Sequence, residues 1–209
     1  MAEINICDPD DYAALEAYVR DYIERFCIIR GDMPGKAKGS RYAWMFYLRN
    51  GLFNPDFLRA TSQMMLHKLV DHLGTADFQV CGAETAGTPL AVGIPFAARM
   101  KGLRINGFVA RKERKQYGLM NFHEGIANEK PVVLVDDLCN SSTSLAVADA
   151  ICRQAISLPS AETAIVIVNK SNRRIHTSAR LAGDLYLPPS VKVLSLFTLD
   201  DFGLSNPSH

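Results

Sequence analysis

Residues Pro131 to Ser144, "PVVLVDDLCNSSTS", bring the chain's most chemically loaded side chains together. Two adjacent carboxylates, Asp136 and Asp137, follow four apolar residues, and Asn140, Ser141, Ser142, Thr143 and Ser144 follow directly. An ionised carboxylate only accepts hydrogen bonds, so its natural organic partner is a donor such as the vicinal diol of a ribose. Small hydroxyl side chains at a helix start join unpaired backbone N–H groups and make a cradle for a phosphate dianion. Carboxylates would repel that phosphate, so the two groups should grip different parts of one ligand, as in a ribose 5-phosphate. Either feature alone is common at ordinary helix starts; their combination after a buried strand carries the reading.

That chemistry needs elements to hold it. The apolar run Val132–Val135 predicts a strand ending just before the carboxylates. The pattern from Thr143 to Ile156, with Leu145, Ala148, Ile151, Cys152 and Ala155 on one face, predicts a helix. Further strands are expected at 78–81, 105–110, 164–168 and 191–197, and helices at 89–100 and 174–182. Strands that are apolar throughout, alternating with helices, imply an α/β fold with a mainly parallel sheet flanked by helices on both faces. Ligands of such sheets sit outside the carboxyl ends of the strands.

Ahead of this body, helical spacing from Tyr12 to Ile29 predicts a helix. The glycine- and lysine-rich "RGDMPGKAKGS" predicts a loop, "RYAWMFYLR" a strand, and 54–72 a second helix. Residues 1–75 are therefore expected to form a small N-terminal cap, or hood, on an α/β core of residues 76–209, as one compact unit.

Composition narrows the function classes. The chain has 209 residues, with 23 basic and 22 acidic side chains, so no overall field points to nucleic acid or an anionic membrane. No apolar run approaches a membrane span, and the N-terminus lacks the pattern of a secretory leader. Five cysteines without a C-x-x-C pair fit a reduced chain. A cytoplasmic protein is the expectation. The histidines show no paired metal-ligand spacing. "GDMPGKAK" fails as a nucleotide-phosphate loop because Ala37 stands where a hydroxyl is required.

"VVLVDDLCNSSTS" resembles the phosphoribosyl-diphosphate (PRPP) signature of the type I phosphoribosyltransferases, and three more segments follow the order of the orotate phosphoribosyltransferase branch. The resemblance assigns Asp136 and Asp137 to the ribose hydroxyls, with Asp137 also catalytic, and Asn140, Ser141, Ser142, Thr143 and Ser144 to the 5-phosphate. "VCGAETAGTPLA" resembles the diphosphate loop, which assigns Glu84, Thr85, Ala86 and Gly87 to the leaving group. "VARKERKQYG" resembles the mobile catalytic loop, with Arg111, Lys112, Lys115 and Tyr117 on the diphosphate and Lys112 and Lys115 catalytic. Cations on a closing lid would stabilise the charge a diphosphate develops as it leaves. "AKGSRYAWMFYLRNGLF" resembles the branch's N-terminal segment and places Lys38 near the base. In "IVIVNKSNRRI" the base-binding cation is Lys170 or Arg173, and Arg173 is the assignment carried with Lys38.

The resemblance implies a phosphoribosyltransferase acting on PRPP and a nucleobase, orotate first among them. It also implies Mg²⁺ as cofactor and a homodimer whose loop 111–118 reaches the neighbouring subunit. Four departures from the pattern stand out: Asn140 replaces threonine, Ser142 replaces glycine, Tyr117 replaces histidine, and Ala43-Trp44 replaces Ser-Pro. They keep two alternatives open, a transferase for another base, or a catalytically weak protein of this fold that binds PRPP or a nucleotide for regulation.

Overall fold

A computed structural model of the chain describes residues 9–34, 41–111, 121–140, 142–170 and 187–205. Helix α1 (Pro9–Tyr22) opens the fold. A single π-helical turn, Ile23–Cys27, follows it, and the chain then enters strand β1 (Ile28–Pro34). The helix expected to reach Ile29 thus stops earlier, and the first part of the expected loop is extended. The reason is pairing: β1 lies antiparallel to β2 (Arg41–Phe46), with Ile28 opposite Phe46 and Arg30 opposite Trp44. An Arg41–Asp32 ion pair ties this hairpin near the Pro34–Arg41 pair, where β1 leads into β2. The strand predicted to run on toward Asn50 ends at Phe46, and Arg49–Leu52 instead form the short helix α2.

Helix α3 (Pro55–Leu73) is bounded by local chemistry. The Asn54 side chain accepts the N–H groups of Asp56 and Phe57, Pro55 occupies the first turn, and Gly74 closes the helix in the left-handed region. Beyond it come β3 (Gln79–Ala83), α4 (Gly87–Met100), β4 (Asn106–Ala110), β5 (His123–Glu124) and β6 (Val132–Cys139). The series closes with α5 (Thr143–Ala155), β7 (Thr163–Asn169), β8 (Lys192–Thr198) and a 3₁₀ turn at Asp200–Phe202. The expected helix at 174–182 lies outside the described residues.

The six strands order as β5-β4-β3-β6-β7-β8. All neighbours are parallel except β4 and β5, whose antiparallel pairing was not expected from sequence. Alternate residues feed two cores, as the pleat requires. Val80, Val133, Val135, Ile165 and Ile167 pack with α3, α4 and the N-terminal segment, including Val19, Ile23, Trp44 and Leu52. Cys81, Leu134, Ala164 and Val166 pack with Leu145, Ala148, Ile151 and Cys152 of α5. Ala155, expected on that apolar face, is exposed. The core is continuous from the N-terminal helices into the sheet. Among the described residues no helix is long and apolar enough to cross a membrane.

Candidate functional site

Strand β3 leads through α4 to β4 on one side of the sheet, and β6 leads through α5 to β7 on the other. Helices α4 and α5 belong to opposite cores, so the direction of winding reverses between β3 and β6. The crevice at that reversal, beyond the carboxyl ends of the strands, is where open α/β sheets bind ligands. Two of the predicted segments meet there: the turn Glu84–Ala86 after β3 and the run from Asp136 to Ser144, which spans the end of β6 and the start of α5.

The carboxylates lie inside β6 rather than after it, because pairing to β7 continues through Leu138–Val168 and Cys139–Asn169. Pairing to β3 stops at Gly82–Val135, which leaves Asp136 and Asp137 beside an edge that β3 has vacated. Strand alternation directs them to opposite faces of the sheet. Asp136 is buried, and one of its oxygens accepts the Asp137 N–H at 2.9 Å. Burial pushes the Asp137 carboxyl above its ordinary range. The Arg49 charge from α2 pulls it back first, followed by hydrogen bonding at Asp136 and at backbone N–H groups. A desolvated carboxylate of this kind gains from a donor-rich or cationic ligand.

The phosphate-type cradle begins at Ser142, whose backbone is left-handed (φ 56°, ψ 10°). That is the conformation in which glycine avoids the Cβ penalty, so this serine adopts the backbone of the glycine that the resemblance leads one to expect. Its hydroxyl caps no helical N–H and lies 3.4 Å from the Cys139 sulfur. Burial pushes the Cys139 thiol up, with Ser142 partly opposing, which makes it a packing group rather than a nucleophile. Thr143 and Ser144 are half-buried in the first turn of α5, Asn140 is exposed, and Ser141 lies outside the described residues.

Across the crevice, α4 starts pressed against the sheet. A Cβ on Gly87 would meet the Val135 carbonyl oxygen, and one on Gly82 would meet the Gly87 carbonyl. Only glycine permits this approach, which brings the Glu84–Ala86 turn against the end of β6. The Glu84–Thr85 peptide is cis. The Glu84 N–H donates to Ala110 O at 3.0 Å, and the Arg111 N–H to Phe122 O at 2.8 Å. The Arg111 guanidinium, through Nη1, lies 3.2 Å from Glu124 Oε1 and 3.7 Å from Glu84 Oε1. Arg111 therefore stands at the foot of the charged run, on a β4–β5 ribbon. Lys112, Lys115 and Tyr117 lie outside the described residues.

From the other side, Trp44 of β2 reaches the same sheet end. The Lys170 ammonium, just past β7, sits 4.8 Å from the indole centroid, and the Lys170 N–H donates to Cys139 O at 2.8 Å. Burial lowers the Lys170 pKa. Of the two base-site alternatives near this point, Lys170 is thus placed against the N-terminal hairpin; Arg173 and Lys38 lie outside the described residues.

Three residues of this neighbourhood had not been singled out: Arg49, Glu124 and Asp149. Asp149, fully buried in α5, accepts from Arg153 Nε at 2.8 Å, Ser160 Oγ at 3.0 Å and Ala161 N–H at 2.9 Å, so it pins the connection between α5 and β7. Its i,i+4 spacing to Arg153 was a visible signal; nothing in the sequence links Arg49 to Asp137 or Glu124 to Arg111.

Among the described residues no group of three or more His, Cys, Asp or Glu side chains could hold a metal. A single carboxylate at this strand end still suits Mg²⁺, which keeps waters and binds through one or two carboxylates together with substrate phosphates.

This architecture is the type I phosphoribosyltransferase fold. Its solved counterparts include a phosphoribosyltransferase from Corynebacterium diphtheriae, with a TM-score of 0.69 at 20% identity over 91% of this chain and 99% of that one. The orotate phosphoribosyltransferase of Mycobacterium tuberculosis H37Rv gives 0.68 at 19% over the same shares, and its structures include a complex with PRPP. The adenine phosphoribosyltransferase of Trypanosoma brucei gives 0.56 at 13%, over 91% of this chain and 85% of that one. No family model and no curated protein sequence matches the chain.

Proposed function

We propose that the protein is a Mg²⁺-dependent phosphoribosyltransferase that transfers ribose 5-phosphate from PRPP to a nucleobase, with orotate the first acceptor to test. One observation carries the reading: two carboxylates at the vacated edge of β6 run directly into the hydroxyl-bearing start of α5, at the place where the sheet's winding reverses. In this reading Asp136 and Asp137 accept from the ribose hydroxyls. The first turn of α5, with Thr143 and Ser144, receives the 5-phosphate. The Glu84–Gly87 turn offers backbone N–H groups to the diphosphate. Bound Mg²⁺ would supply charge neutralisation on that leaving group. Holding both ends of the sugar fixes C1 toward the acceptor, and Lys112 and Lys115, carried on the loop from Arg111, add positive charge as the bond to diphosphate breaks.

The acceptor belongs beside Trp44 and Lys170, between the N-terminal hairpin and β7. Residues 1–75 serve as a hood over the 76–209 core in this scheme, and the setting is cytoplasmic. The exposed side chains of Val92, Phe96 and Met100 at four-residue spacing along α4 support a homodimer, since they form an uncovered apolar stripe.

A second reading, binding of PRPP or a nucleotide without efficient turnover, is favoured by Ser142 in a glycine conformation and by Arg111 already engaged with two carboxylates. Calorimetry with Mg-PRPP, followed by diphosphate release across a panel of bases, decides between them. Turnover on one base supports the transferase. Binding without turnover on any base supports the binder, and no binding refutes both.

A further inference from the structure

The cation nearest the candidate diphosphate turn is not held in readiness for a ligand. Arg111 contacts Glu84 and Glu124 through one nitrogen, and the Glu84 distance of 3.7 Å is long for an ion pair. Its Nε is buried with no hydrogen-bond partner among the described residues. A guanidinium is best satisfied by a two-oxygen partner that takes Nε and Nη together, as a phosphate group does. The resting arrangement is therefore a poor one for Arg111. The Glu84 backbone is tied beside Arg111, because its N–H is bound to Ala110 O, one residue away. Glu84 belongs to the very turn that the proposed reaction assigns to diphosphate, a place where an acidic side chain has no attraction for the ligand.

We propose that Glu84 is a resting latch: it keeps Arg111 occupied at the turn, and an incoming diphosphate displaces the carboxylate by offering the guanidinium the paired oxygens it lacks. Glu84 then acts through Arg111, as a positioning residue that sets how readily the site accepts a polyanion. The inference rests on the transferase reading of the crevice but makes a separate claim about this chain's own charges.

Titration calorimetry of the full chain with inorganic diphosphate and Mg²⁺ tests it, using the wild type, Glu84→Gln, Arg111→Gln and the double variant. Freeing Arg111 should tighten diphosphate binding by about two- to fivefold, the range a partly exposed ion pair supplies. In the Arg111→Gln background the same Glu84 substitution should bring no gain. Glu84→Ala repeats the measurement should the amide disturb the turn. A gain that persists without Arg111 means that Glu84 merely repels the ligand, and overturns the latch. Unchanged affinity on removing Glu84, with the wild type binding normally, overturns the latch and leaves the transferase reading standing. Failure of every protein to bind diphosphate overturns both.

Discussion

Replacing Ser142 tests the cradle most directly. Its left-handed backbone costs an L-residue about 1–2 kcal/mol, and glycine escapes that cost while giving up roughly 0.5–1 kcal/mol of chain entropy on folding. Both Ser142→Gly and Ser142→Ala lose the hydroxyl contact with Cys139, so that loss cancels between them. Alanine keeps the backbone penalty. The glycine variant should therefore be the more stable of the two by about 0.5–1 kcal/mol, which for a chain of this size is a difference of roughly 1–4 °C in Tm. Thermal and urea unfolding of the three proteins provide the measurement. The hydroxyl is turned to Cys139 rather than to the crevice, so the glycine variant should also bind Mg-PRPP at least as tightly as the wild type. An alanine variant equal to or more stable than the glycine variant would refute the backbone argument. Weaker PRPP binding by Ser142→Gly would show that the hydroxyl is a phosphate ligand after all.

Asp137→Asn should raise the stability of the free protein near neutral pH. Burial raises the folded-state pKa of Asp137, so the folded chain holds its proton to higher pH than the unfolded one and loses stability as pH rises through that interval. The advantage of the variant should vanish below the ordinary carboxylate range, and its affinity for Mg-PRPP should fall; Tm against pH and calorimetry check the two effects. Asp149→Ala strips three donors of their acceptor and should cost about 2–4 kcal/mol in urea unfolding. Phe96→Asp in the exposed stripe of α4 should convert a dimer to a monomer in analytical ultracentrifugation; an unchanged sedimentation coefficient would place the interface elsewhere. Lys112→Ala should slow diphosphate release far more than it weakens PRPP binding, and equal, negligible effects would return the charge run to a solvated surface.

The central sheet was readable because β3, β6 and β7 carry short apolar runs, Val80–Cys81, Val132–Val135 and Ala164–Val168, buried on both faces, a pattern that local sequence displays. Strand β1 was not, since Gly31, Asp32 and Pro34 signal a loop locally and only pairing with β2 extends them. The carboxylates were expected just past a strand because two acids seldom continue one; pairing with β7 carries the strand on through both. The departure at Ser142 was visible as a serine where the resemblance implies glycine, while its positive φ appears only in the folded chain. The Arg111 cluster was hidden, because Glu84 and Glu124 reach it only through β3–β4 and β4–β5 pairing, which leaves no mark in local spacing.

Trp44 is the chain's single tryptophan, and it lies where the N-terminal hairpin meets the end of the sheet with a lysine ammonium over its ring. The protein thus carries its one indole fluorophore beside its candidate acceptor site. A ligand that draws Lys170 away or stacks near the indole should alter the emission without any label. Titrating candidate bases against this signal would rank acceptors even if no turnover occurs.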